Sequence, residues 1–213
     1  MLIRIIFNVG GAMKVKEFIQ TLLGMRGFQP EQTTWEEQYK NNQWNHLHQL
    51  DELAHYNVIR GYINFFKPNA DILDVGCGEG VLNRELSSSD YNYYKGIDFS
   101  DTAIENARSK REDEKTFFEQ ADAHAYQPDR KYDCIVFCES LNCINNPEKL
   151  VERLKEYLKP NGIVIISLFK QLWIDKIMWN KVQTSFEIID KTTVKNGKGS
   201  AWQCKVLRPI NNS

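Results

Sequence analysis

The run Asp74-Val75-Gly76-Cys77-Gly78-Glu79-Gly80 sets three glycines at alternate positions directly behind the apolar pair Ile72-Leu73. Glycine accepts left-handed dihedrals and puts no side chain between backbone and ligand, so a strand ending in such a turn can lie against a nucleotide-like group. About twenty residues further on, Tyr93-Tyr94-Lys95-Gly96-Ile97 runs into Asp98, the spacing at which such folds set a carboxylate on ribose hydroxyls. Its two oxygens can accept both hydroxyl protons, which no neutral side chain of similar length does. The competing reading makes Asp98 a solvated turn residue ahead of a helix begun by Ser100 and Asp101. The glycine spacing is GxGxG; a dinucleotide fingerprint needs its third glycine at position 81, where this chain has Val81.

A second group could move protons. His46, His48 and His55 cluster with Asp51 and Glu52. On one helix His48, Glu52 and His55 would share a face, which suits a general base better than a metal site, although surface helices are commonly rich in such residues. Cys134, Cys138 and Cys143 could also suggest a metal. Alternation puts Cys134 and Cys138 on one face of a strand but well apart along it, so packing is the expectation and no metal is assigned.

These residues need a scaffold, and its elements alternate. Strands are predicted near 72–75, 93–97, 116–120, 132–138 and 162–169, with helices starting near Gly80, Asp101 and Pro147, which is the pattern of a parallel, doubly wound sheet. Leu150, Leu154 and Leu158 share one face of the last helix, and Lys159-Pro160-Asn161-Gly162 ends it. Ile174, Ile177, Met178 and Val182 mark a further core-facing helix; Trp173 and Trp179 lie partly off that stripe, packed or lining an acceptor pocket. Residues 186–195, a turn at Asn196-Gly197, and 200–207 read as a hairpin. Ahead of the first strand, Leu50, Leu53, Ala54, Ile59, Tyr62, Ile63 and Phe66 recur at helical steps and predict a helix packed on the sheet.

Ile72-Leu73-Asp74-Val75-Gly76-Cys77-Gly78-Glu79-Gly80 resembles motif I of the class I S-adenosylmethionine (SAM) methyltransferases. The resemblance continues through Asp98, through Phe117 to His124, through Tyr132 to Ser140, and through the LKPNG turn. It implies an α/β fold: a Rossmann-like, doubly wound, mostly parallel seven-stranded sheet with a terminal antiparallel hairpin and an N-terminal helical cap. The domain would span 35–213, with its cap at 35–67. It also implies SAM as cofactor, held by Asp74, Gly76, Cys77, Gly78, Gly80, Asp98 and Phe99. Asp122 would accept from the adenine amino group while the Ala123 N–H faces the ring, and His124 beside them would cap or face solvent. Trp35-Glu36-Glu37-Gln38-Tyr39 and Trp44 resemble an aromatic cap in which Tyr39 and Trp44 flank the sulfonium, since aromatic faces attract cations; anchoring a loop is the alternative.

The activity so implied is in-line transfer of the SAM methyl to an oxygen or nitrogen of a small polar acceptor, a saccharide or secondary metabolite. No metal is required, and a hydroxyl acceptor would need a base, for which Glu139, His48 and His55 are candidates. Cys138-Glu139-Ser140-Leu141 stands where amide and exocyclic-amine methyltransferases carry an N/D-P-P-Y/F motif, which disfavours that class. Two other readings stay open: a nicotinamide oxidoreductase, and a non-catalytic SAM-binding protein.

Composition sets outer bounds. At 213 residues and 42% hydrophobic content the chain can bury one substantial core. A net charge of -1 gives no general attraction for nucleic acid. No apolar run reaches the roughly 18 residues of a membrane span, and five cysteines, an odd number, argue against a disulfide framework and for the cytoplasm. Residues 1–34 read as an extension. Within 14–27, Val15, Phe18, Ile19, Leu22 and Leu23 form an apolar stripe beside Lys14, Lys16 and Arg26 that could touch a membrane surface or a partner, and Met13 is a plausible start.

Overall fold

The computed structural model describes residues 31–170 and 174–210; the stripe at 14–27 and Trp173 lie outside them. In chain order come α1 (Gln32–Lys40), α2 (Leu50–Phe66), β1 (Ala70–Val75), α3 (Val81–Glu85), β2 (Tyr91–Asp98), α4 (Asp101–Arg111), β3 (Thr116–Gln120), β4 (Tyr132–Cys138), α5 (Pro147–Lys155), β5 (Leu158–Phe169), α6 (Ile174–Val182), β6 (Phe186–Lys195) and β7 (Ala201–Pro209). The seven strands form one sheet in the order β3-β2-β1-β4-β5-β7-β6. The first five pair in parallel, while β7 runs antiparallel to both β5 and β6. This is the Rossmann-like sheet with a terminal hairpin that the family resemblance implies.

Buried runs in β1, β4 and the centre of β5 explain their inner places, because a parallel strand covered on both faces is apolar at every residue. Alternation then divides the core. Ile72, Cys134, Val136 and Cys138 face α2, α3 and α4, whereas Leu73, Ile135 and Phe137 face α5 and α6. Cys134 and Cys138 thus lie on one face, and among the described residues no cluster of His, Cys, Asp and Glu could hold a metal ion. Trp179 is 3% exposed in the α5–α6 layer, packed in the core rather than lining the cleft at the strand ends. No helix among the described residues is long and apolar enough to cross a membrane.

Three local expectations are corrected. Lys159 to Gly162 is not a free turn: Leu158 already pairs with Tyr132 and the next pair is Cys134 with Ile163, so these residues bulge within β5, with Asn161 left-handed at φ 63. At the hairpin tip Gly199 rather than Gly197 takes the positive φ, and Asn196 Oδ1 accepts the N–H groups of Lys198 and Ser200. In α2 the apolar stripe buries Ile59, Tyr62 and Ile63, but Leu50 is 85% exposed and Ala54 is exposed, because both fall on the outward row with Asn57 and Gly61 while His55 and Tyr56 turn inward. The tip of the hairpin reaches the first turn of α2: Asn196 Nδ2 donates to the Asp51 carbonyl, and Lys198 pairs with the Asp51 carboxylate.

Candidate active site

The C-terminal ends of β1, β2 and β4 open into a cleft of about 1110 Å³, mouth included, roofed by α1 and the turn after it. Its floor is the glycine turn. Gly76, Gly78 and Gly80 sit at φ 74, 54 and 76, all left-handed. Two of them are also fixed by close approach: a Cβ on Gly76 would stand 2.4 Å from the Ser140 Cβ, and one on Gly78 would stand 2.9 Å from the Tyr39 hydroxyl. The Gly76 and Cys77 N–H groups donate to the Ile97 carbonyl, so the turn is sewn to β2 beside Asp98.

Asp98 lines the cleft and is anchored by backbone. The Gly78 N–H donates to Oδ2 at 2.9 Å and the Ser100 N–H to Oδ1 at 3.0 Å. Burial raises its carboxyl above the ordinary range, and these N–H bonds oppose that rise. The Phe99 N–H adds to the pull on the carboxylate, and what acceptor capacity the two oxygens keep faces the cleft. Phe99 follows on the wall, its carbonyl accepting from Gln120 Nε2. Asp122 and Ala123 line the same end. The His124 N–H donates to Asp122 Oδ1, and three more bonds pin the loop: Arg153 donates to the Ala123 and Tyr126 carbonyls, and His124 Nε2 to the Asn145 carbonyl.

At the other end are two buried acids. Asp74, 1% exposed, accepts the Tyr94 hydroxyl on Oδ2 at 2.5 Å while its buried Oδ1 has no partner; desolvation raises its carboxyl to about 7. Glu139 follows β4 with a left-handed backbone, φ 58. The Ser167 hydroxyl donates to Oε1 at 2.7 Å and the Phe169 N–H to Oε2 at 2.9 Å, yet burial still raises its carboxyl to about 7. Ser140, next along, seals the turn by donating to the Val75 carbonyl.

The roof is aromatic. Trp44 packs between Trp35 and Tyr39 with tilted rings, at 5.6 and 6.1 Å between centroids, and all three line the cleft. Glu36 on α1 fastens it to α4, accepting the N–H groups of Asp101 and Thr102 while Ser100 accepts that of Ala103. Orphan donors of a helix start are thereby satisfied across two elements.

The two candidate histidines part company. His48 ends a short 3-10 turn, Asn45–His48, and Gln49 is extended, so no single helix carries His48, Glu52 and His55 as expected. Arg84 donates to His48 Nδ1; a guanidinium cannot accept, so Nε2 bears the proton and donates to Glu79 Oε2 at 3.1 Å. Thus His48 lines the cleft with both nitrogens engaged as a clasp between roof and turn. His55 lies outside the cleft lining, 0% exposed and stacked 4.7 Å from Trp202, and desolvation lowers it to about 3. Of the three base candidates, only Glu139 both reaches the cleft and is not spent on the roof.

Sequence reading missed Tyr56, which lines the cleft between Glu139, Asp74 and Cys138. Its position three residues from both Leu53 and Ile59, on the inward stripe of α2, was the available signal. Glu36 carried no such signal.

Ubiquinone biosynthesis O-methyltransferase of Rickettsia akari is 28% identical over 142 residues, 62% of this chain and 56% of that protein. Malonyl-(acyl-carrier protein) O-methyltransferase 2 of Ilyobacter polytropus is 33% identical over 103 residues, 46% of this chain and 39% of that one. The chain thus spans about half the length, or less, of these curated relatives. Among solved structures, N-methyltransferase NodS from Bradyrhizobium japonicum, in complex with S-adenosyl-L-homocysteine, superposes with a TM-score of 0.67 at 13% identity, covering 79% of this chain and 92% of that one. Magnesium protoporphyrin IX methyltransferase from Synechocystis, with bound SAM, gives a TM-score of 0.62 at 15% identity, covering 84% and 97%. Residues 46–203, most of the chain, match the family model described as a methyltransferase domain, and the chain belongs to that family.

Proposed function

We propose that this chain binds SAM in the cleft and directs its methyl group to an oxygen or nitrogen of a small polar acceptor such as a saccharide or secondary metabolite. The observation that carries the reading is Asp98: a carboxylate oriented by the Gly78 and Ser100 N–H groups, lining a cleft floored by three left-handed glycines, where a ribose diol could donate to it. The remaining groups fit the same molecule. Asp122 Oδ2 is left for an adenine amino group, and the orphaned Asp74 Oδ1 suits the ammonium of the amino-acid part. The faces of Tyr39 and Trp44 suit a sulfonium. The names of the curated relatives, both O-methyltransferases, and the ligands of the two structural neighbours point the same way.

When bound, SAM supplies a methyl group on a positively charged sulfur, ready for displacement. What the chain contributes is mainly position, and holding reactants in line is worth roughly 7 to 11 kcal/mol of barrier. The aromatic roof keeps water out, while Arg153 and His124 hold the adenine loop in place. Glu139, with its carboxyl raised to about 7, can take a proton from the acceptor near neutral pH. Five free cysteines support a reducing compartment such as the cytoplasm.

Calorimetric titration with SAM and with S-adenosylhomocysteine, using NAD as control, tests the cofactor. Micromolar binding of both sulfur ligands is the expected result; NAD binding without SAM binding would overturn the reading. Methyl transfer from labelled SAM across a saccharide and metabolite panel then separates an enzyme from a non-catalytic binder.

A further inference from the structure

The described lining of the cleft carries five carboxylates, Asp74, Glu79, Asp98, Asp122 and Glu139, and no lysine or arginine. Three of them already have work. Glu79 takes His48 and Asn106, Asp98 holds the turn, and Asp122 caps its own loop at the adenine end. Asp74 is the independent sign that the other end expects a cation: its Oδ1 is an unpartnered oxygen on a side chain 1% exposed that lines the cleft. One ammonium, that of the cofactor's amino-acid part, meets that need.

Glu139 also accepts two hydrogen bonds, but from Ser167 and Phe169 of β5, which do not line the cleft, so neither of these partners stands on the cleft side. It lies at the end of β4, across Ser140 from the glycine turn and away from the nucleoside end at β2 and β3, and the Glu52 carboxylate on α2 adds to the negative potential around it. The backbone is held in a left-handed conformation that non-glycine residues seldom adopt, and the carboxylate is aimed by Ser167 and Phe169. We propose that the acceptor is an amine that enters as an ammonium ion, and that Glu139 binds it and takes its proton. The proposal rests on the SAM reading of the cleft.

Charge decides among acceptors. Moving a proton from a hydroxyl to Glu139 would neutralise Glu139 but leave the negative charge on the acceptor, near Glu52 and Asp74, and a carboxylate acceptor would arrive as an anion. An amine instead arrives and leaves with positive charge facing these acids, and is neutral, never anionic, while its nitrogen attacks. R–NH3⁺ gives a proton to Glu139; the freed nitrogen pair forms the N–C bond as the methyl's bond to sulfur breaks and that electron pair returns to sulfur. The product leaves as R–NH2⁺–CH3 with a neutral thioether, and Glu139 passes its proton to water.

Sinefungin reads this charge preference directly, because it replaces the sulfur and methyl with a carbon bearing an ammonium group. We expect it to bind the unmodified protein at least tenfold tighter than S-adenosylhomocysteine in calorimetry, with the ratio falling towards one in Glu139→Gln while S-adenosylhomocysteine affinity is kept. Equal affinities in the unmodified protein, or a preference for S-adenosylhomocysteine, would overturn the amine assignment even if Glu139→Gln does not fold. Failure of both ligands to bind would instead remove the cofactor reading, and this inference with it.

Discussion

Replacing Asp74 with Asn should change the stability of the ligand-free protein in a pH-dependent way whose sign follows from burial. In the unfolded chain the carboxyl ionises near its ordinary value of 3.8; in the fold, desolvation raises it to about 7. The folded state therefore binds more protons between these values, so its stability is full below about 4 and declines until the folded group has ionised, near 7. Above that, an anion sits 1% exposed with one oxygen unpaired. Between pH 5 and pH 8 the unfolded group is already ionised, so about two units of the shift remain, or roughly 3 kcal/mol at about 1.4 kcal/mol per unit. Asn has no charge to bury and leaves the two N–H groups of its amide unpaired, each at a cost of about 1 to 3 kcal/mol that is the same at both pH values. The assay is urea denaturation of both proteins at pH 5 and pH 8. The stability difference, variant minus parent, should rise by about 3 kcal/mol from the lower to the higher pH, since Glu139 and all other groups are common to both proteins. A difference that is the same at both pH values would refute the burial argument.

Other substitutions probe the turn, the ribose carboxylate and the roof. Gly76→Ala puts a Cβ 2.4 Å from that of Ser140 at φ 74 and should cost about 2 to 4 kcal/mol in denaturant unfolding, with part of the loss recovered by adding Ser140→Gly. Asp98→Ala removes the acceptor of two N–H groups and of the proposed diol; SAM affinity by calorimetry should fall roughly a hundredfold, about 3 kcal/mol, and unchanged affinity in a folded variant would reject the ribose role. Glu36→Ala strips two N–H partners from the start of α4 and frees α1, so stopped-flow should show faster SAM release, and thermal unfolding a loss of about 1 kcal/mol.

Much of the scaffold was readable from local pattern alone. Apolar runs marked the buried parallel strands, GxGxG with an acid about twenty residues later marked the turn and Asp98, and the last two alternating segments marked the hairpin, because strand, helix and turn each impose a period or a residue type on their own stretch of chain. The meeting of distant stretches was not so encoded. An extended Gln49 split His48 from His55 and sent one to the roof and the other behind Trp202. Tyr39 over Gly78, Glu36 on the start of α4, and Ser140 against Gly76 each join residues far apart in sequence. The left-handed backbone of Glu139 depends on partners in β5. The sequence by itself determined the elements and the glycine turn, which follow from the backbone's own sterics. The tertiary structure decided which acids lie buried and unpaired, because desolvation and partnership exist only once separate elements have closed around a side chain.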